Sequence, residues 1–184
     1  MLRRFNLIAA ATVLLLSTQL AVADETKKDR YSIGVTSSEV SNDEAGAISI
    51  GTPFYNDLFQ VKFSLVQAYK DGLKSGTHAW YGYQIYNLGV AFNLREVPGL
   101  MRVYAEGGLN YINTSASLST ASAKVGRYGL VGAEIYLDPN SWLNCCSAYV
   151  EFGSTGKGVK ADQLDGNPTI GHGFVSTVGL RYYF

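Results

Sequence analysis

Two histidines are the side chains in this sequence that are best suited to proton transfer. His78 and His172 both fall close to junctions between a predicted strand and a loop. Combined with a serine and an acid, a histidine of this kind would support hydrolysis of an ester. Candidate hydroxyl and carboxyl groups occur nearby but follow no catalytic spacing: Ser75, Thr77, Ser176, Asp162 and Asp165. We therefore interpret both histidines as polar loop-edge residues and keep catalysis as the weaker alternative.

The cysteines and histidines do not predict a metal site or any other cofactor. The two histidines are far apart in sequence, and Cys145 and Cys146 are adjacent, so no metal-ligand spacing is present. Neighbouring Cα atoms lie about 3.8 Å apart, which is below the range of ordinary disulfides. The sequence leaves two states open for this pair: a strained vicinal disulfide or two separate thiols.

Six charged residues share one face of the chain's alternating segments. Within residues 59–65, apolar residues alternate with Gln60, Lys62 and Ser64, and residues 101–111 repeat the pattern around Arg102 and Glu106. A period of two is typical of β-strands with one apolar and one polar face. The full polar-face set contains three positive and three negative side chains: Lys62, Arg102, Glu106, Glu134, Glu151 and Arg181.

Eight segments with this alternation predict an all-β fold. A change of phase near Gln84 predicts a β-bulge there. Residues 53–56, 95–99 and 138–144 form compact turns, whereas the other connections are polar and mostly longer. The predicted strands cover residues 29–38, 45–52, 57–69, 79–94, 100–114, 122–137, 145–155 and 173–184.

The N-terminus has the pattern of a secretory signal peptide. Arg3 and Arg4 precede an apolar run at residues 7–16, and Ala21 and Ala23 form a small-residue cleavage site. We predict a signal peptide at 1–23 and a single barrel domain at 24–184. Removing the two arginines leaves 13 basic against 15 acidic side chains, a net charge of −2, which excludes the strongly basic surface expected for nucleic-acid binding.

The polar face distinguishes a transmembrane barrel from a soluble sandwich. Opposite charges at similar heights would neutralise one another inside a narrow barrel, whereas a sandwich would expose them to water. Aromatic residues near both strand ends match the two girdles of a membrane barrel. They are Tyr31, Tyr55, Tyr136, Trp142 and Tyr182 at the short-turn end, and Tyr69, Trp80, Tyr81 and Tyr111 at the other. These features favour an eight-stranded antiparallel up-and-down transmembrane β-barrel.

The last residues, TVGLRYYF, resemble the C-terminal assembly signal of bacterial outer-membrane proteins. The match falls on Thr177, Gly179, Tyr182 and Phe184. The stretch YGLVGAEIYLDPNSWLNCCSAYVEFG, with the final GFVSTVGLRYYF, is similar to the last strands of small OmpA-like, OmpX-like and opacity-type barrels. This resemblance implies a Gram-negative outer-membrane location, short periplasmic turns and external loops. It also implies contact with the barrel-assembly machinery, membrane lipid and lipopolysaccharide.

These observations predict a monomeric, non-enzymatic barrel with a plugged polar interior. It would support the envelope or bind a host or cell-surface ligand through its loops. One alternative is an enzyme that modifies lipid A or phospholipid. Against it, His172 is followed by Gly173 and Phe174, so the His-x-Ser pattern of lipid A deacylases is absent. The other alternative is a small channel for hydrophobic compounds.

Overall fold

The protein is a closed antiparallel barrel of eight strands in the computed structural model, which describes residues 30–137, 143 and 145–184. The predicted signal peptide and Trp142 lie outside these residues. The eight-stranded all-β fold predicted from the alternation is confirmed. The barrel strands are β1 (Ser32–Val40), β2 (Asp43–Gly51), β3 (Phe59–Lys74), β4 (Thr77–Val97), β5 (Met101–Thr114), β6 (Ala123–Tyr136), β7 (Cys146–Gly156) and β10 (Gly173–Tyr183); β8 (Val159–Lys160) and β9 (Thr169–Ile170) form a small hairpin between β7 and β10.

The barrel closes between its first and last strands. Ser32 pairs with Tyr183 at one end of this seam and Val40 with Val175 at the other. The backbone N–H of Phe184 donates a further hydrogen bond to the carbonyl of Tyr31 at 3.0 Å. Each of the eight strands therefore has a partner on both sides, as a sheet surrounded by lipid requires.

Two of the connections expected to be long are tight turns. Ser41–Asn42 joins β1 to β2 and Ser75–Gly76 joins β3 to β4, and all four residues have positive φ. Two such residues in succession match the type I′ turn, whose twist suits a two-residue hairpin. The strands consequently extend further toward this end than the sequence prediction placed them.

The predicted bulge near Gln84 is wrong. Gln84 pairs regularly with Gln67 on one side and Asn113 on the other. The register instead shifts between Asn93 and Arg95, near the end of β4. The apolar residues change from one face of the strand to the other near Gln84, but the strand contains no extra residue there.

The outer wall of the barrel is apolar. Large hydrophobic side chains point outward along each of the eight barrel strands, including Val35, Leu88 and Leu109, which are 54%, 58% and 61% exposed. Among residues 30–137, 143 and 145–184 there is no helix long and apolar enough to cross a membrane. An exposed apolar surface that extends around the whole barrel matches a lipid environment.

Aromatic side chains flank this wall at both ends, with two corrections to the sequence prediction. Tyr31, Tyr55 and Tyr182 are exposed at the end that carries the chain's last residue, and Tyr69, Trp80 and Tyr111 are exposed near the opposite end. Tyr136, however, is buried inside the barrel. It lies two residues after Glu134 on β6, so both side chains point into the lumen. Tyr81 packs partly against an apolar cluster at the barrel mouth.

Candidate functional site

Glu134 is the centre of the first layer of charge in the barrel lumen. Its Oε2 accepts hydrogen bonds from Nη2 of Arg102 at 2.7 Å and Nη1 of Arg181 at 2.8 Å. Its Oε1 accepts from the hydroxyls of Ser147 and Tyr183. Glu134 has no exposed surface, so these four donors replace the water that an ionised carboxylate would otherwise need.

Lys62 is the centre of the second layer of charge in the barrel lumen. Its Nζ donates to Glu106 Oε2 at 2.8 Å and to Glu151 Oε1 at 2.6 Å. Two tyrosine hydroxyls complete the layer, because Tyr104 donates to Glu151 at 2.6 Å and Tyr128 donates to Glu106 at 2.7 Å. The structure thus brings all six charged residues of the sequence analysis into the lumen, in two connected groups with three positive and three negative charges.

Aromatic rings hold the guanidinium groups in place. The Cζ of Arg102 lies 4.0 Å from the centre of the Phe54 ring, and that of Arg181 lies 4.5 Å from the Tyr149 ring. Within the described part of the chain, Nε and Nη1 of Arg102 and Nη2 of Arg181 have no hydrogen-bond acceptor. Cation–π contact therefore supplies part of the stabilisation of these charges.

Glycines make room for the inward tyrosines. A Cβ at Gly132 would lie 2.5 Å from Cζ of Tyr104, and a Cβ at Gly89 would lie 2.2 Å from the hydroxyl oxygen of Tyr128. Any larger residue at these two positions would displace a hydroxyl that bonds Glu151 or Glu106. These glycines thereby permit the charged layers to fill a narrow barrel.

A small cavity lies between the charged layers and the barrel mouth. Its volume is about 70 Å³, which exceeds the roughly 10–15 Å³ that a cavity needs to hold a water molecule. Lys62 and its two glutamates border it on one side, and apolar residues such as Val66 and Ile85 border it on the other. Hydroxyl and amide groups line the wall between: Thr36, Ser38, Ser49, Ser64, Asn87, Asn110, Thr155 and Thr177.

The β7–β10 connection closes the mouth above this cavity. Val159, Ala161, Leu164 and Ile170 project from it and are at most 3% exposed. They form one apolar cluster with residues of the barrel wall and of the β5–β6 loop: Val40, Ala45, Val66, Ala68, Tyr83, Ile85, Ile112 and Leu118. We call residues 157–172 the lid. The expectation that this long connection would be a polar external loop missed its apolar, inward-facing side.

Hydrogen bonds attach the lid to its neighbours on several sides. The N–H of Asp165 donates to the carbonyl of Leu73 at 2.8 Å, and Ser119 Oγ donates to the carbonyl of Lys160 at 2.8 Å. The backbone N–H and the hydroxyl of Thr120 both donate to the exposed carboxylate of Asp162. These bonds from Thr120 lower the pKa of Asp162, so the contact is made in its ionised form.

A further buried ion pair lies near the mouth. Asp43 accepts from Lys70 Nζ at 2.8 Å and from the Tyr83 hydroxyl at 2.7 Å. Asp43 is only 2% exposed. Sequence analysis missed this group because Asp43 and Lys70 lie in segments assigned to loops.

The two histidines do not form a catalytic arrangement. His78 is exposed beside the β3–β4 turn, with its Nδ1 3.6 Å from a carboxylate oxygen of the exposed Asp71. His172 is exposed at the end of the lid, and no hydrogen bond joins it to a serine or an acid of the described chain. Neither histidine faces the cavity.

The cysteines lie at the opposite end of the barrel. Cys145 and Cys146 are half-buried thiols, and Cys146 starts β7 opposite Tyr182. In the described ranges, no group of three or more His, Cys, Asp or Glu residues could hold a metal ion. The prediction of no metal or cofactor stays a prediction.

The four residues of the assembly-signal match lie on the last strand. Thr177 faces the lumen and shares a hydrogen bond of 3.0 Å with Ser38. Gly179 packs beside the Tyr149 ring. Phe184 is 61% exposed and stacks on Tyr31 and Tyr182, with ring centres 6.3 Å and 6.4 Å apart. Their role in assembly is a proposal taken up below.

Truncating the lid's central side chain should loosen the lid without unfolding the barrel. Leu164 is 3% exposed and contacts the position of Gly72, so Leu164→Ala removes apolar contact and leaves a void, at a cost of about 2 kcal/mol. We expect protease cleavage near Lys160 in intact cells to accelerate. Exposed Leu94→Ala is the matched control, and equal cleavage rates in both variants would contradict a docked lid.

The protein shares its fold with a β-barrel domain of known structure. The N-terminal β-barrel domain of Pseudomonas aeruginosa OprF superimposes with a TM-score of 0.57 at 13% sequence identity, covering 85% of this chain and 98% of that one. No family model matches the sequence. No curated protein matches it either. The likeness establishes the fold, a closed eight-stranded antiparallel barrel.

Proposed function

We propose that this protein is a non-enzymatic barrel of the Gram-negative outer membrane with a lumen closed at two levels. The observation that carries the proposal is the combination of an apolar outer wall with a lumen filled by paired charges. A soluble sandwich would have the reverse distribution. A barrel of this kind would support the envelope and present its loops to host, phage or neighbouring cells.

The closed lumen supports a structural role over free diffusion. The two charged layers fill the lumen toward the end of the barrel where β1 begins and β10 ends. The lid's apolar cluster fills the mouth at the other end. The small cavity lies between them. Solute passage would require both the lid and the ion pairs to move.

A small channel is the second candidate, and the cavity favours it. Its walls carry apolar side chains as well as hydroxyl and amide groups, so opening the two ends would connect a path for hydrophobic compounds through the lumen. The channel reading predicts stepwise conductance of the purified wild-type protein in planar bilayers. The structural reading predicts a flat baseline for the wild type at the same protein-to-lipid ratio.

A lipid-modifying enzyme is the third reading, and the positions of the histidines argue against it. His78 and His172 are exposed, and within the described residues neither forms a hydrogen bond with a serine. Expression of the wild type and of a His78→Ala, His172→Ala variant should leave the mass of lipid A and phospholipids identical. A mass change that depends on either histidine would replace the structural proposal with a hydrolase.

The last strand gives a test of assembly. Phe184→Ala would remove the ring that stacks on both Tyr31 and Tyr182 and the aromatic residue proposed to engage the barrel-assembly machinery. We expect a several-fold lower yield of folded barrel, measured as the fast-migrating band of unboiled samples on gels. Its physical basis would be lost recognition more than lost stability, because an exposed ring contributes little to the fold.

Tyr31→Ala is the control for that experiment. It removes one of the same ring contacts and leaves the last strand intact. If both variants lower the folded yield equally, ring stacking rather than recognition of the last strand explains the effect. If Phe184→Ala assembles like the wild type, the assembly-signal proposal is wrong.

A further inference from the structure

Like charges are grouped at two places on the rim of the barrel mouth. Two exposed cations, which we call the basic patch, lie together where β6 and β7 meet the lid: Arg127 and Lys157. Arg127 pairs across the strands with Gly156, directly before Lys157. On the other side, Glu39 faces Glu44 across β1 and β2. Charges of one sign on one side of a rim produce a local field that selects oppositely charged partners.

The cations of the basic patch have no internal counter-ions. Lys124 is separate from this patch, because it lies on the opposite face of β6 and its Nζ donates to the lid carbonyl of Gly158 at 2.9 Å. Within the described chain, neither Arg127 nor Lys157 makes a salt bridge to a carboxylate. Their charges therefore remain available to an external anion.

The side chain of Arg127 lies on the outer wall of the barrel, which faces lipid, and not in the lumen. It pairs with Leu109, which is 61% exposed, and lies two positions from Val125, which is 58% exposed. Val125 in turn pairs with the girdle residue Tyr111. Arg127 therefore lies near the boundary between the hydrocarbon and the headgroups, where a long cationic side chain keeps its charge in the polar region.

The wall below Arg127 is flat. Gly107, Gly129 and Ser154 are neighbours on β5, β6 and β7, and all three are exposed. Phe152 and Phe174, with ring centres 6.4 Å apart, border this strip on one side. An acyl chain has room to lie against the strip while its headgroup reaches the cations above.

We propose that the basic patch binds the phosphate of an outer-leaflet lipid, a phosphorylated glycolipid whose acyl chain packs on the adjacent wall. This inference rests on the proposed outer-membrane location. Arginine is suited to the task because its guanidinium can donate two parallel hydrogen bonds to a phosphate. Lys157, which follows the strand partner of Arg127, adds a second charge beside it. Free phosphate would use the cations but not the apolar wall.

Native mass spectrometry of the detergent-solubilised barrel tests the proposal with lipid A as the probe. Wild-type protein should bind bisphosphorylated lipid A about tenfold more tightly than the same lipid without its phosphates, since charge-assisted hydrogen bonds are the strong ones. The Arg127→Gln, Lys157→Gln double variant should lose that preference, and Arg127→Lys should retain part of it. A tenfold excess of inorganic phosphate should not displace the lipid.

Arg95→Gln is the matched control, because Arg95 is also exposed on the wall but at the opposite end, opposite Val103. It should bind like the wild type. Equal binding of the dephosphorylated lipid, unchanged binding by the double variant, equal loss in Arg95→Gln, or displacement by inorganic phosphate would each overturn the proposal. Fractionation of the same cells separates its failure from that of the outer-membrane location, which would show as protein outside the outer membrane.

Discussion

Replacing Glu134 by leucine should destabilise the barrel by about 3–5 kcal/mol, the range for breaking a buried ion pair. Arg102 and Arg181 would both lose their shared carboxylate, and the hydroxyls of Ser147 and Tyr183 would lose their acceptor. The lumen would then hold a net positive charge without water to solvate it. Urea unfolding in lipid vesicles, followed by tryptophan fluorescence, measures the change.

Glu44→Leu is the control for this substitution. Glu44 is exposed near the opposite end of the barrel and makes no salt bridge with a described residue, so its loss should change the free energy of unfolding by less than about 0.5 kcal/mol. A double variant, Glu134→Leu with Arg181→Leu, should recover part of the loss because it removes one of the unpaired charges. Equal stability of Glu134→Leu and the wild type would mean that the lumen is hydrated rather than closed.

Replacing Val131 by arginine should cost about 2–4 kcal/mol, the range for a lipid-facing cation at mid-membrane depth. Val131 is 54% exposed and lies roughly midway along β6, between the wall residues Val125 and Ile135. Its neighbours on the wall are Ala105 and Phe152, which offer no counter-charge. The same unfolding assay in vesicles measures the loss.

Val125→Arg is the matched control, since it introduces the same side chain on the same strand near the outer girdle. Its charge can reach the headgroups, so the cost should be only about 0–1 kcal/mol. A depth-dependent difference between the two variants is the signature of a bilayer. Two equal, small effects would instead indicate that water surrounds the wall.

The alternation of residues in the strands predicted most of the barrel. Parity alone assigned Lys62, Glu134 and Arg181 to the lumen, because a β-strand sends successive side chains to opposite faces. The same alternation also assigns Tyr183 and Tyr136 to the lumen. A girdle assignment for Tyr136 failed because it followed the residue type and its place near a strand end instead of its parity.

The lid could not be predicted in the same way. Val159, Leu164 and Ile170 follow no period of two, and their burial depends on contacts with Ile112 and Leu118 that are distant in sequence. Loops lack the fixed periodicity that makes strand faces readable. The Ser75–Gly76 turn did have a local signal, since a Ser–Gly pair commonly marks a turn, but the flanking polar residues were read as loop.

Labelling single cysteines with a membrane-impermeant maleimide tests the central claim, a barrel that crosses the outer membrane with a closed lumen. The background would carry Cys145→Ser and Cys146→Ser. Lys160→Cys on the lid should be labelled in intact cells, and Pro98→Cys in the β4–β5 turn only after the outer membrane is permeabilised. Ser64→Cys, which borders the cavity, should be labelled only after unfolding. Labelling of Pro98→Cys in intact cells, or of Ser64→Cys in the folded protein, would contradict the account.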